Sequence, residues 1–261
     1  SSNTGANTVT LTVTDLAGNV GTCTSVVTVV DNESPTITCS SNISVSNDAG
    51  VCGANVVYTN VANDNCSFTV TQTAGLASGS TFPVGTTTNT FVVTDPSGNT
   101  ATCSFDVTVA DNEAPNAVCQ NITISLDANG FVQITASQIN GGSTDNCGID
   151  TIFHDICDYY CQNAGPNTAV LTVLDIYGNS STCSAIVTVQ DTIAPTALCL
   201  NTTVVLDANG QGTIGVGDVD DLSFDNCDID TYTLSQTAFN CSNAGANTVT
   251  LTVTDLAGNV G

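Results

Sequence analysis

The chain has 261 residues, with 24 acidic side chains, one histidine and neither lysine nor arginine, so its formal charge at pH 7 is -24. With no cation to neutralise phosphate, nucleic-acid binding and attachment to anionic membranes lose their main source of affinity, and phosphoryl transfer lacks its usual clamp. A 41% apolar content, with the acidic charge diluted by Thr, Ser, Asn and Gly, is not that of a disordered chain, and no apolar run approaches the length of about 18 residues that a membrane helix needs.

The first predicted element is the alternating stretch "NTVTLTVTD". It sets Val9, Leu11 and Val13 on one face and Thr8, Thr10, Thr12 and Thr14 on the other, the period of a half-buried strand. The turn "DLAGN" at Asp15 follows, with an Asp to bond its own backbone and a Gly for positive φ. After a second strand comes "DNESP" at Asp31, and from there the sequence keeps an 80-residue period. "DNEAP" begins at Asp111 and "DTIAP" at Asp191; the turn returns as "DPSGN" at Asp95, "DIYGN" at Asp175 and "DLAGN" at Asp255. Residues 1–21 match residues 241–261 at 19 of 21 positions. A period of this size marks tandem modules. The expected divisions are residues 1–30, the C-terminal part of one module, then modules 31–110 and 111–190, and a module 191–261 cut before its last strand. No initiator Met or signal segment opens the chain, so it reads as an internal window of a longer array. Short β-branched strands with regular turns and no helix-period stretches predict an all-β fold, a tandem array of immunoglobulin-like β-sandwich modules stapled by disulfides.

Thirteen cysteines without a C-x-x-C pair point to disulfides in an oxidising, extracellular setting. Counted from each module's first Asp, Cys recurs at positions 9 and 73, which pairs Cys39 with Cys103 and Cys119 with Cys183. Cys23 and Cys199 hold the same two positions, with partners expected beyond this window. The inner pairs expected are Cys52–Cys66, Cys147–Cys161 and Cys227–Cys241, which leaves Cys157 over. A bridge from first to last strand carries tension past the fold, so a mechanical role is expected for the array.

The segment "DNEAPNAVCQNITISLD", the mid-module "DNC" and the closing "DPSGNTATCSFDVTVAD" resemble the hyalin repeat (HYR), most closely over residues 31–110. Residues 111–261 resemble the related modules beside hyalin repeats in giant surface proteins of Bacteroidota, gliding-motility adhesins among them. The resemblance implies an extracellular place on a bacterial cell surface and a part in cell adhesion. The expected function is the stalk of a long adhesin that extends a binding tip under force. A self-assembling extracellular filament or sheath is the alternative, and a carbohydrate-binding module a third, which thirteen Phe and Tyr and no Trp disfavour. Expected partners are neighbouring modules, other copies of the chain and surface glycans, with neither nucleic acid nor membrane insertion.

Candidate chemistry is concentrated at the seams. Asp31 with Glu33, and Asp111 with Glu113, precede a linker proline and offer hard oxygen ligands for Ca²⁺; Asp220 and Asp225 lie in a second acidic stretch, "GDVDDLSFDNCDID". The same residues also suit turn capping. His154, Cys157, Cys161 and Cys147 have the donor types of a zinc site, a reading that an oxidising setting and the expected Cys147–Cys161 bridge displace. Thr192, in "DTI", resembles the O-glycosylation motif of Bacteroidota. No G-x-S-x-G elbow accompanies the one histidine, and carboxylates that recur with the period of the fold read as part of the fold, so no enzyme activity is expected.

Overall fold

The computed structural model describes residues 4–261 and divides into two compact units, the first ending at Glu113 and the second spanning Ala114–Gly261. The modules are built mainly of strands, and these follow the alternation of apolar and threonine-rich positions.

The first unit opens with a hairpin of β1 (Gly5–Thr14) and β2 (Val20–Val29), paired from Gly5↔Val29 to Thr14↔Val20. Its side chains are exposed on both faces apart from Asn7. The sandwich of residues 31–110 follows with β3 (Thr36–Thr38), β4 (Ile43–Ser46), β5 (Gly53–Val56), β6 (Val61–Asn63), β7 (Thr69–Ala74), β8 (Ser80–Pro83), β9 (Gly85–Thr94) and β10 (Thr100–Ala110). One sheet has the order β4–β10–β9–β7, with β4 parallel to β10; β3 pairs with β6 and β5 with β8. The buried side of β9 and β10 places Phe91, Phe105, Val107 and Val109 against Ala54, Val56 and Phe82. Tyr58 joins them edge-on to three phenyl rings, the nearest Phe105 at 4.9 Å, and its hydroxyl donates to the Leu76 carbonyl. Burying an aromatic body while keeping its polar tip hydrogen-bonded is what makes Tyr tolerable there.

The second unit contains two modules. The first has β11 (Ile122–Ser125), β12 (Phe131–Gln133), the single-turn α1 (Ala136–Ile139), β13 (Ile149–His154), β14 (Asp158–Tyr160), β15 (Gly165–Asp175) and β16 (Ser180–Gln190). Its main sheet runs β11–β16–β15–β13, again with the first strand parallel to the last. Alternate residues Leu171, Val173, Val187 and Val189 meet Ile134, Ile139 and Tyr159 in the core. The second has β17 (Gln211–Thr213), β18 (Ile229–Leu234), β19 (Ala238–Asn240) and β20 (Leu251–Asp255), with a smaller core of Ile214, Val219 and Phe239.

The outer staples sit where the period places them: Cys39 is bonded to Cys103 and Cys119 to Cys183, each spanning 64 residues with Cα atoms 5.8 Å apart. The expected inner pairs differ. Cys161 is bonded to Cys227, 66 residues on and in the following module, so neither Cys147–Cys161 nor Cys227–Cys241 forms. Cys52 and Cys147 are disulfide-bonded, whereas Cys66 keeps its thiol, so Cys52–Cys66 is not formed either.

The reason is strand length. Cys147 lies just before Ile149, which pairs with Asp175 at one end of the long strand β15, whereas Cys161 lies just before Gly165 at the other end. Ten steps at about 3.3 Å put those ends about 33 Å apart, far beyond the reach of a disulfide, whose Cα atoms lie within about 7 Å. The same geometry separates Cys227 from Cys241. It also separates Cys66, near the Thr69↔Thr94 pair, from Cys52, in the turn beside the Ala110 end of β10. Each module thus has a leading pole, with its first Asp and its "DNC", and a trailing pole.

Candidate metal centre

The leading poles gather carboxylates by a repeated local construction. In the turn between the last two strands, Asp95 Oδ1 accepts the Asn99 N–H at 2.8 Å, and Gly98 takes φ +92°, which only glycine adopts without strain. The Asn99 amide then donates to Asp95 Oδ2 and to the Asp31 carbonyl. Asn259 does the same 160 residues later, donating to Asp255 Oδ2 and to the carbonyls of Asp191 and Ile193. The turn thereby holds the module's first Asp in place, and the buried Pro35 and Pro195 seat the segment that follows it.

The "DNC" loop completes the cluster. Asp31, Asp64 and Cys66 approach within ligand distance in the first unit, and Asp191, Asp225 and Cys227 do so in the second. In both, the middle Asn bonds the first Asp: Asn65 Nδ2 reaches Asp31 Oδ1 at 3.5 Å, and Asn226 Nδ2 reaches Asp191 Oδ1 at 3.1 Å. The Cys N–H donates to the preceding Asp, Cys66 to Asp64 at 3.0 Å and Cys227 to Asp225 at 2.9 Å. The Cys66 thiol and the Glu33 N–H hold the Asp31 carboxyl below the ordinary carboxylate range, against the opposing effect of desolvation.

Of the residues expected to ligate a cation, the structure brings Asp31 into the first of these clusters and Asp225 into the second. Glu33 accepts from the Asn65 amide at 2.9 Å, on the rim of the first cluster. Asp111 is buried, with Oδ1 accepting the Glu113 N–H, but the Glu113 carboxylate turns back to the loop beside β4, accepting from Gly50 N and Asn47 Nδ2. Asp220 caps its own turn through Ser223. Asp64 and Asp191 are the members that sequence reasoning missed. The signal was available, because Asp64 occupies in its "DNC" the place that Asp225 occupies in the other.

The donor set suits a hard cation in part. Asp64 Oδ1, Asp225 Oδ1 and Asn226 Oδ1 are buried with no hydrogen-bond partner, and an unpaired buried oxygen is costly unless something positive meets it. The sulfur positions are not metal donors of the zinc type: Cys227 is in a disulfide and Cys66 donates to Asp31. Zinc at His154 lacks ligands as well, since Cys161 and Cys147 are disulfide-bonded and only Cys157, 3.7 Å from His154 Nδ1, remains beside it. Thr192 is exposed on the segment after Asp191.

Comparison with known proteins agrees with the module type. The HYR domain family model matches residues 30–109. Hyalin of Strongylocentrotus purpuratus is 32% identical over 193 residues, covering 67% of this chain and 15% of that protein. Hyalin of Lytechinus variegatus is 30% identical over 182 residues, covering 65% of this chain and 33% of that one. The chain therefore spans a third or less of the length of either relative. Among solved structures, protocadherin gammaB7 EC3-6 aligns with 98% of this chain and 83% of its own at a TM-score of 0.36 and 15% identity. The protocadherin gammaB4 extracellular domain aligns with 98% and 54% at 0.37 and 14%. Likeness of that size carries no argument about function.

Proposed function

We propose that this chain is a load-bearing segment of a long extracellular adhesive array, a stalk and not a reactor. The observation that carries the reading is the bonding pattern. Two modules are closed from first strand to last by Cys39–Cys103 and Cys119–Cys183, and Cys161–Cys227 ties one module to the next. Tension entering a module near Cys39 passes through sulfur to Cys103, so the segment between them carries none of it. The sequence likeness to hyalin supports an adhesive, extracellular setting without enzyme activity. Placement on a bacterial surface rests on the resemblance of residues 111–261. Among the described residues, no helix is long and apolar enough to cross a membrane.

Single-molecule pulling tests the reading. Oxidised, the module of residues 31–110 releases only the residues outside its bridge. After reduction it gains the 64 residues of the loop, about 220 Å at about 3.4 Å per residue. Release of that length from the oxidised chain would refute the stalk.

Calcium at the leading poles is the second part of the proposal. Asp31, Asp64 and Glu33 would hold it in the first unit, and Asp191 with Asp225 in the second, supplying charge that relieves the unpaired oxygens and stiffens the seam. Calorimetric titration with Ca²⁺ is expected to show binding that Asp64→Asn and Asp225→Asn together remove, with a higher Tm in Ca²⁺ than in EDTA. Equal Tm values and no heat of binding would overturn it.

A further inference from the structure

Two matching ladders in the second unit bear different outer faces. In one, β12 and β14 pair Phe131↔Tyr160, Val132↔Tyr159 and Gln133↔Asp158; in the other, β17 and β19 pair Gln211↔Asn240, Gly212↔Phe239 and Thr213↔Ala238. The paired positions are 80 apart throughout, and the flanking bonds agree. Ile134 N–H donates to the Cys157 carbonyl as Ile214 N–H does to that of Thr237, both at 2.9 Å. Tyr160 N–H and Asn240 N–H reach Asn163 Oδ1 and Asn243 Oδ1, again at 2.9 Å. The middle residues Tyr159 and Phe239 enter the cores, so alternation along the strands turns the pairs on either side of them outward. The backbone is therefore indifferent to what that face carries. Gln211, Thr213, Ala238 and Asn240 sit on the same ladder as Phe131, Gln133, Asp158 and Tyr160.

What the first ladder adds is a particular chemistry. The rings of Phe131 and Tyr160 stand side by side, with centroids 5.2 Å apart and planes inclined at 45°, and Tyr160 is 46% exposed. Two residues along, about 7 Å at about 3.3 Å per step, the exposed Asp158 carboxylate accepts from the Gln133 amide at 2.9 Å. A carboxylate has acceptor capacity beyond one such bond. Aromatic faces beside a carboxylate are the two groups that a guanidinium engages at once, stacking on the ring and pairing with the acid. The field around the face has the matching sign, since the chain has 24 acidic residues and neither lysine nor arginine. A neutral sugar would gain from the rings but nothing from that field, so the observations favour a cation.

We propose that this face of the 111–190 module binds an arginine side chain on a basic segment of a partner protein, with the guanidinium over Phe131 and Tyr160 and against Asp158. The site belongs to this module alone of the two in the second unit, because its counterpart has neither aromatic ring nor carboxylate at these positions. The inference goes beyond the stalk and calcium readings and needs neither.

NMR titration of the isotope-labelled protein with the peptide acetyl-Gly-Arg-Gly-amide tests it. Shift changes are expected to centre on residues 131–133 and 158–160 and to shrink as salt is raised. They are expected to vanish when citrulline, which has the shape of arginine without its charge, takes its place in the peptide. Phe131→Gln with Tyr160→Asn installs the residues that the second ladder already accommodates and leaves the net charge unchanged. That double variant is expected to weaken binding about tenfold, and Asp158→Ala about threefold. Shifts spread evenly over the acidic turns, binding that survives the double aromatic replacement, or a response to methyl β-glucoside in place of the peptide would overturn the proposal.

Discussion

Seventeen residues occur twice in this chain, as 5–21 and as 245–261, and the two copies have opposite fates. In the first, Leu11 and Val13 are 59% and 60% exposed; in the second, their equivalents Leu251 and Val253 are 6% and 0% exposed. The turn aspartates follow, Asp15 exposed and Asp255 buried. Local hydrogen bonding does not account for the difference, because Asn19 bonds Asp15 much as Asn259 bonds Asp255. What differs is the surroundings: Leu251 is paired across to Leu234 on β18 and lies over a core, whereas among the described residues β1 pairs with β2 alone. Alternation therefore specifies a strand with an apolar side, and tertiary context decides whether that side is used.

Paired substitutions sharpen the contrast. Leu251→Ala removes a core side chain and is expected to cost about 3 kcal/mol, read as a lower urea midpoint for the second unit. Leu11→Ala, on the open hairpin, is expected within about 0.5 kcal/mol of wild type; equal effects would mean that the hairpin is buried in solution. Asp255→Ala leaves the Asn259 N–H and amide without their acceptor, at about 2 kcal/mol, while Asp15→Ala, whose donors can turn to water, changes little.

The smallest effect is that of acid. Accepted hydrogen bonds hold Asp15, Asp31, Asp127 and Asp207 below the ordinary carboxylate value, and at Asp175 the bonds from Asn179, Tyr177 and Gly178 outweigh burial, which pushes the other way. A carboxyl depressed in the folded state adds stability above its unfolded pKa of about 3.9 and loses it as pH falls through the folded value. The urea midpoint is thus expected to be flat from about pH 7 to pH 5 and to decline below about pH 4. A decline that begins near pH 6 would contradict this assignment.

The sequence made some of this legible and hid the rest, for identifiable reasons. The outer bridges could be read because cysteines at positions 9 and 73 recur with the period, one beside the start of the module and one on its last strand. The inner cysteines misled because Cys147 and Cys161 are 14 positions apart, a short distance along the chain but about the length of the sandwich in space. The strand count held the correction, since Cys147 precedes β13 at the Asp175 end of β15 and Cys161 precedes the Gly165 end. At the carboxylate clusters, Asp31 was visible as the first residue of a module. Its neighbour Asp64 was not, because it lies 33 positions further on with four strands between. Glu113 looked like a ligand from its spacing to Asp111 alone, and the loop at Asn47–Gly50 claims it instead. Glycine at 130 marks the seam in a way that sequence shows only in hindsight. A Cβ there would stand 2.5 Å from Cys161 Sγ and 2.6 Å from the Asn226 carbonyl oxygen.

The claim on which the account rests is that sulfur bridges connect first strand to last within modules and continue from one module to the next. Mass mapping of the unreduced protein, cleaved at aspartate and glutamate because trypsin has no site, addresses it most directly. The account predicts linked peptides for Cys39–Cys103, Cys119–Cys183 and Cys161–Cys227. A Cys147–Cys161 peptide, or reduced thiols at positions 39, 103, 119 and 183, would contradict it.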